Sequence, residues 1–239
     1  MGSNAGLSGA MSTMLTFDRH AFGKRDRIAV AIDNLVVAGW AGRDEEAIRH
    51  HIEELAAIGV PRPSSTPVFY RNAVSIVTQT EHLQVLGPDT SGEVEPVVIA
   101  LADGLWVTVG SDHTDRKAET HGIALSKQLC GKVVGRTLWK LEEVAPHWDQ
   151  LILRAYGLFA GKRALYQEGP LTSLRRPEDL VQRYAGDKGL APGTMMMGGT
   201  MSAIGGIRPS DRFEMELHDP VLKRTITHAY DIEALPIVT

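Results

Sequence analysis

Glu93-Val94-Glu95-Pro96-Val97-Val98-Ile99, followed closely by Leu105-Trp106-Val107-Thr108-Val109 and then Asp112, is the stretch that decides the fold. Both runs are rich in β-branched residues and read as neighbouring strands. Side chains two apart on a strand point to one face, so Glu93 and Glu95 converge. Two like charges on one face repel, and stay ionised only with a cation or a buried base between them. A divalent ion would remove that cost. Mg2+, Mn2+ and Ca2+ take oxygen ligands, and a short hairpin would return Asp112 beside the pair. The competing reading is an exposed edge strand whose acids are solvated, with Pro96 blocking the edge.

Upstream, Ile28 to Ile32 and Leu35 to Trp40 around Asp33-Asn34 read as a small N-terminal hairpin. After Gly42 the pattern turns helical. Asp44 caps the start, Ile48, Ile52 and Leu55 keep one face apolar, and Gly59 with Pro61 ends the run. On that wheel His51 borders the apolar face with Glu54 three residues on, a place where a histidine is usually a packing residue. Downstream, Pro67 to Arg71, Leu151 to Phe159, Arg212 to Leu217 and Lys223 to Ile232 read as further strands, and Pro177 to Tyr184 as a helix with acids at its positive end.

The chain has 239 residues, 43% of them hydrophobic, enough to bury a substantial core without a staple. Residues 1–13 read as a cloning remnant or disordered start, and 14–239 as one domain: an N-terminal hairpin and lid helix (14–66), then a catalytic β-roll (67–239). The Pro/Gly clusters at Gly59 to Pro67 and Leu190 to Gly206 read as active-site loops. A net charge of −4 with scattered basic residues leaves no electrostatic footprint for nucleic acid or an anionic membrane. Cys130 is the only cysteine, so no intrachain disulfide can form, and the composition suits a reducing cytoplasm.

The order of motifs resembles the fumarylacetoacetate hydrolase superfamily. The resemblance rests on His51-Ile52-Glu53-Glu54, Phe69-Tyr70-Arg71, Glu93-Val94-Glu95, Gly110-Ser111-Asp112-His113-Thr114-Asp115-Arg116 and Lys127. Gly135 to Trp139, Ala191-Pro192-Gly193-Thr194, Gly198-Gly199-Thr200 and Arg208-Pro209-Ser210-Asp211 extend it to most of the chain. Arg71 stands where the family has lysine, Pro96 follows the glutamate pair, and Met201 replaces a proline.

The resemblance implies a β-rich α+β domain, a mixed β-sandwich roll with a helical N-terminal lid, and a homodimer. It implies that Glu93, Glu95 and Asp112 hold one Mg2+ or Mn2+ facing a 2-keto acid. It further implies Lys127 as the cation at a developing enolate, Arg71, Gly199 and Thr200 as contacts for a small carboxylate substrate, and His51 with Glu54 as a water-activating pair on the lid. The activity so implied is hydrolysis of a C–C bond in an acylpyruvate. Decarboxylation of a 2-keto acid and dehydration of a sugar acid need the same enolate stabilisation. A non-catalytic β-sandwich binding module is the alternative of another class.

Overall fold

The computed structural model describes residues 11–57 and 62–238. The chain opens with β1 (Thr13–Ala21), β2 (Lys24–Ile32) and β3 (Asn34–Gly39), then helix α1 (Glu45–Ala57). Next come β4 (Val68–Asn72), β5 (Val77–Thr78), β6 (His82–Leu86) and β7 (Thr90–Ser91). The central part holds β8 (Val94–Leu101), β9 (Gly104–Asp112), β10 (Thr114–Asp115), α2 (Arg116–Glu119), α3 (Ile123–Leu129), β11 (Lys132–Val134), β12 (Thr137–Lys140) and α4 (Leu141–Val144). The remainder is β13 (Ile152–Phe159), β14 (Lys162–Pro170), α5 (Pro177–Ala185), β15 (Thr194–Met197), β16 (Arg212–Asp219) and β17 (Arg224–Leu235).

These strands build two main sheets. The larger runs β2-β1-β12-β9-β8-β15-β3-β4, with β11 and β5 attached beside β9, and the smaller runs β14-β13-β16-β17-β6. β13 alternates buried and half-buried residues, as a strand with one wet face should. By contrast β8 is buried at every position from Val94 to Ala100 because cores lie on both of its faces. Val94, Val107 and Val109 meet Leu153, Phe213, Met215 and Tyr230 between the sheets. Val97, Ile99 and Trp106 turn the other way, into a core that the larger sheet encloses with Phe17, Ile32, Leu35 and Leu138.

The interior place of β8 removes the edge-strand reading: Glu95 is 2% exposed and Asp112 is fully buried. Pro96 is tolerated because a strand residue points its nitrogen and carbonyl to the same side. Its carbonyl accepts from Gly198 N at 3.0 Å, one residue beyond the end of β15, where no ladder bond to the missing N–H is needed.

The expected hairpin over Ile28 to Trp40 is corrected. β2 pairs with β1, whereas β3 pairs with β4 and, in parallel, with β15. Asp33 and Asn34 form no hairpin turn; their amides both donate to Gly193 O, and the chain changes partners there. The N-terminal stretch is therefore part of the large sheet, and β1 begins at Thr13, inside the stretch read as a remnant. Helix α1 begins as expected, with Asp44 Oδ1 accepting from the amides of Glu46 and Ala47 at 3.0 Å each. Its expected end at Gly59 and Pro61, and the side chains of His51 and Glu54, lie outside the described residues, so the lid role assigned to the helix stays an expectation. Among the described residues no helix is long and apolar enough to cross a membrane.

Candidate functional site

The β8–β9 hairpin turns over Ala102 and Asp103, and its register sets Val97 opposite Thr108 and Glu95 opposite Gly110. One step further, Asp112 N donates to Glu93 O at 3.0 Å. The inner face of the hairpin thus changes from Ile99 and Val97 to Glu95 and Glu93 on one strand, and from Trp106 and Thr108 to Gly110 and Asp112 on the other. Gly110 is required opposite Glu95, because a Cβ there would lie 2.7 Å from Val97 Cγ2. The three carboxylates offer oxygens that all lie within 4.8 Å of one another.

Three cations surround them. Lys127, buried on α3, directs its ammonium at Asp112 Oδ2 and lies 3.4 Å from Glu93 Oε2. Gln128 next to it accepts from Asn72 Nδ2 and Ala73 N, which fastens α3 to the end of β4. Lys132 is fully buried on β11, directly across from Asp112, with Nζ 2.8 Å from Asp112 Oδ1 and 2.6 Å from His113 O. Arg116 Nη2 reaches Glu93 Oε1 at 2.9 Å while its Nη1 holds Glu119 at 3.0 Å.

Burial alone would raise the Asp112 carboxyl, yet Lys127 and Lys132 outweigh it and hold its pKa below the usual aspartate value. Glu95 goes the other way. Burial and the facing Asp112 push its pKa well up, and Gly199 N, at 2.9 Å from Oε2, is too little compensation. For Lys127 burial works against the ammonium, but Asp112, Glu93 and Glu95 prevail and keep it protonated. Behind Asp112, burial pushes the His113 imidazole down to about 3. Tyr230 donates its hydroxyl proton to Ser111 Oγ, so His113 Nδ1–H donates to Tyr230 and Nε2 accepts from Thr90, a neutral ring with every position used.

A buried carboxyl with one amide donor, facing two further carboxylates across less than 5 Å, is a donor set for a hard divalent cation. Glu93, Glu95 and Asp112 fit such an ion.

Above the acids opens a cavity of about 680 Å³, with Glu93, Glu95 and Lys127 on its floor. Its walls come from Ala38 to Asp44, from Ala47 and Ile48 at the start of α1, from Thr172 and Ser173, and from Gly199, Thr200 and Ser202. Gly199 and Thr200 line the cavity, and their polar atoms are engaged: the Gly199 amide by Glu95, the Thr200 hydroxyl by Val94 O at 2.7 Å and Gln167 Nε2 at 2.9 Å. Arg71 is a correction. It is exposed on β4, bonds Asn34 Oδ1 and the Tyr184 hydroxyl, and does not line the cavity. Neighbouring residues on a strand face opposite ways, and it is Tyr70 that lies over Gly39 and feels the charge of Lys127. Helical spacing sets position 51 one turn beyond Ala47 and Ile48. Sequence reasoning left Arg116, Lys132, Asp44 and Trp40 without a role in the site; Lys132 becomes legible once β11 is known to pair with β9.

The profile of a family described as a protein of unknown function, DUF2848, matches residues 38–230, which include the acids, the lysines and the cavity walls. The chain belongs to the DUF2848 family. No curated protein matches it in sequence. Among solved structures, this DUF2848 chain superposes on 2-keto-3-deoxyarabinonate dehydratase with a TM-score of 0.64 at 15% identity, over 84% of this chain and 74% of the other. The same dehydratase complexed with magnesium and 2,5-dioxopentanoate gives 0.60 at 15% identity, over 85% and 74%. A yeast fumarylacetoacetate hydrolase family protein, ynq8, gives 0.58 at 14% identity, over 86% and 94%. At such identities the likeness shows the fold alone: this chain shares the curled β-rich fold of the dehydratase and of the yeast fumarylacetoacetate hydrolase family protein.

Proposed function

We propose that the chain is a divalent-metal-dependent enzyme acting on a 2-oxo acid through an enolate, with Mg2+ or Mn2+ held by Glu93, Glu95 and Asp112. The observation that carries this reading is the convergence of three carboxylates, one of them completely buried, on the floor of a cavity large enough for a small acid. A bound divalent ion would supply Lewis acidity at the 2-oxo group. Lys127 supplies a fixed positive charge at the same place. An ammonium held protonated by three carboxylates is better suited to stabilising enolate charge than to giving up its proton.

C–C hydrolysis of an acylpyruvate is the reaction proposed when a base is available on α1. His51, oriented by Glu54, takes a proton from water; the water oxygen adds to the acyl carbonyl; and the C–C bond breaks, its electrons going to the enolate, which is protonated to the 2-oxo acid. Dehydration of a hydroxylated 2-oxo acid is the second reading: a base removes the C3 proton and the C4 hydroxyl leaves as water. It is favoured by the hydroxyl-bearing residues Thr172 and Ser202 among those that line the cavity.

Steady-state assays with Mg2+ on an acylpyruvate and on a 2-oxo-3-deoxy sugar acid separate the two. Turnover of either that disappears with EDTA and returns with Mg2+ supports the proposal, and full activity in EDTA would sink it. His51→Ala should abolish the hydrolysis. A homodimer in the cytoplasm, acting on a small carboxylate, completes the proposal.

A further inference from the structure

The edge strand of the smaller sheet carries an irregularity that serves the site. β14 pairs with β13 in antiparallel register, but Gln167 lies opposite Ala155 and Leu165 opposite Tyr156, so Tyr166 is the extra residue of a β-bulge. Neighbours on a regular strand face opposite ways, yet Tyr166 and Gln167 are both buried. The bulge turns two successive side chains inward. Tyr166 joins the apolar core between the sheets, and Gln167 reaches the strand that carries the acids.

Both ends of the Gln167 carboxamide are used there. Oε1 accepts from Val94 N at 3.0 Å, while Nε2 donates to the Thr200 hydroxyl at 2.9 Å and to Met201 O. An amide that faces an N–H on one side and a carbonyl on the other has one satisfied orientation. The Thr200 hydroxyl closes the ring by donating to Val94 O at 2.7 Å, and at the bulge Tyr166 O accepts from Ile204 N at 2.7 Å. Val94 stands between Glu93 and Glu95. The loop held against it is the one whose Gly199 amide donates to Glu95 Oε2 at 2.9 Å. We propose that Gln167 is a positioning residue for the acidic site: one carboxamide, aimed by a bulge in the other sheet, locks the backbone between two of the acids to the loop that holds Glu95. The assignment rests on the reading of the three acids as a metal site, and adds what keeps two of its ligands in place.

Calorimetric titration of the full chain with Mg2+ alone tests it in two variants. Gln167→Met keeps the length and volume of the side chain and removes both ends of the bridge. Leu217→Ala opens a cavity in the same core between the sheets and touches no polar group of the bridge, so it should lower the denaturation midpoint and leave Mg2+ affinity unchanged. Gln167→Met should weaken Mg2+ by at least about tenfold. In chelator it should also speed hydrogen exchange at the Gly199 amide, which Leu217→Ala should not. Unaltered Mg2+ affinity in Gln167→Met, or an equal loss in Leu217→Ala, would overturn the positioning role and leave the metal site standing. Should Gln167→Met fail to fold, Thr200→Val decides: it removes the hydroxyl between Gln167 and Val94 O, and an unchanged Mg2+ affinity would overturn the role, a weakened one support it. Failure of the unaltered chain to bind Mg2+ would overturn both readings.

Discussion

Asp112 is shared by two lysines that differ in what lies behind them. Lys132 is sealed within the sheet and Lys127 borders the cavity. Taking Lys132 away leaves a buried carboxylate that no water can reach, so Lys132→Met should destabilise the chain by about 3–5 kcal/mol in chemical denaturation. Lys127→Met opens its carboxylates to the cavity instead and should cost less. Its effect should appear in turnover, with kcat lowered about 10²–10³-fold. Mg2+ affinity should hold or tighten, because a competing positive charge has gone from the same oxygens. Isothermal titration beside steady-state kinetics reads both quantities, and a kcat unchanged in Lys127→Met would remove the lysine from the chemistry. Glu95→Gln separates ligation from stability in another way. It should weaken Mg2+ by at least about tenfold, while thermal unfolding in chelator stays the same or rises because a strained acid has been removed.

At the scale of elements, the loop after β15 brings Gly199 against both β8 and Ala41, two residues beyond the end of β3. Its φ of +90° lies in the region that favours glycine, and a Cβ would come within 2.8 Å of Ala41 Cβ. Gly199→Ala should therefore cost about 1–3 kcal/mol and displace the one amide that Glu95 receives; a denaturation midpoint equal to that of the unaltered chain would contradict this. The strands β8, β9, β13, β16 and β17 were legible because each is a β-branched or alternating run bounded by turns, and α5 because Pro177 and its acids mark a helix start. The carboxylate site was legible for the same local reason, being one hairpin. The parallel pairings of β1 with β12 and β3 with β15 leave no mark in either segment, since the partners are far apart in sequence and no turn joins them. This is why Asp33-Asn34 looked like a hairpin turn and why β1 went unread as a strand.

Among the described residues of the molecule, burial lowers the pKa of three imidazoles, His20, His113 and His228. Each stays neutral in the folded chain at pH values where the unfolded chain, with a pKa of about 6.5, takes up a proton. The unfolded state then binds more protons, so stability is complete above that value and falls as pH drops below it. Urea midpoints measured in chelator should decline from pH 7 to pH 5. His228→Gln, which keeps a donor for Thr80 O, should flatten part of that decline, and a midpoint independent of pH in this range would contradict the assignment.

The three acids, Arg116, Lys127 and Lys132 lie within one continuous stretch, residues 93–132, whereas the walls above them come from residues 38–48 and 172–202. On the proposed reading the metal ligands and their lysines thus lie in a different passage of the chain from the cavity walls, and the walls can be rewritten while the ligands are kept. Exchanging only the two wall segments for those of a relative should transfer its taste in substrates onto an unchanged reaction centre.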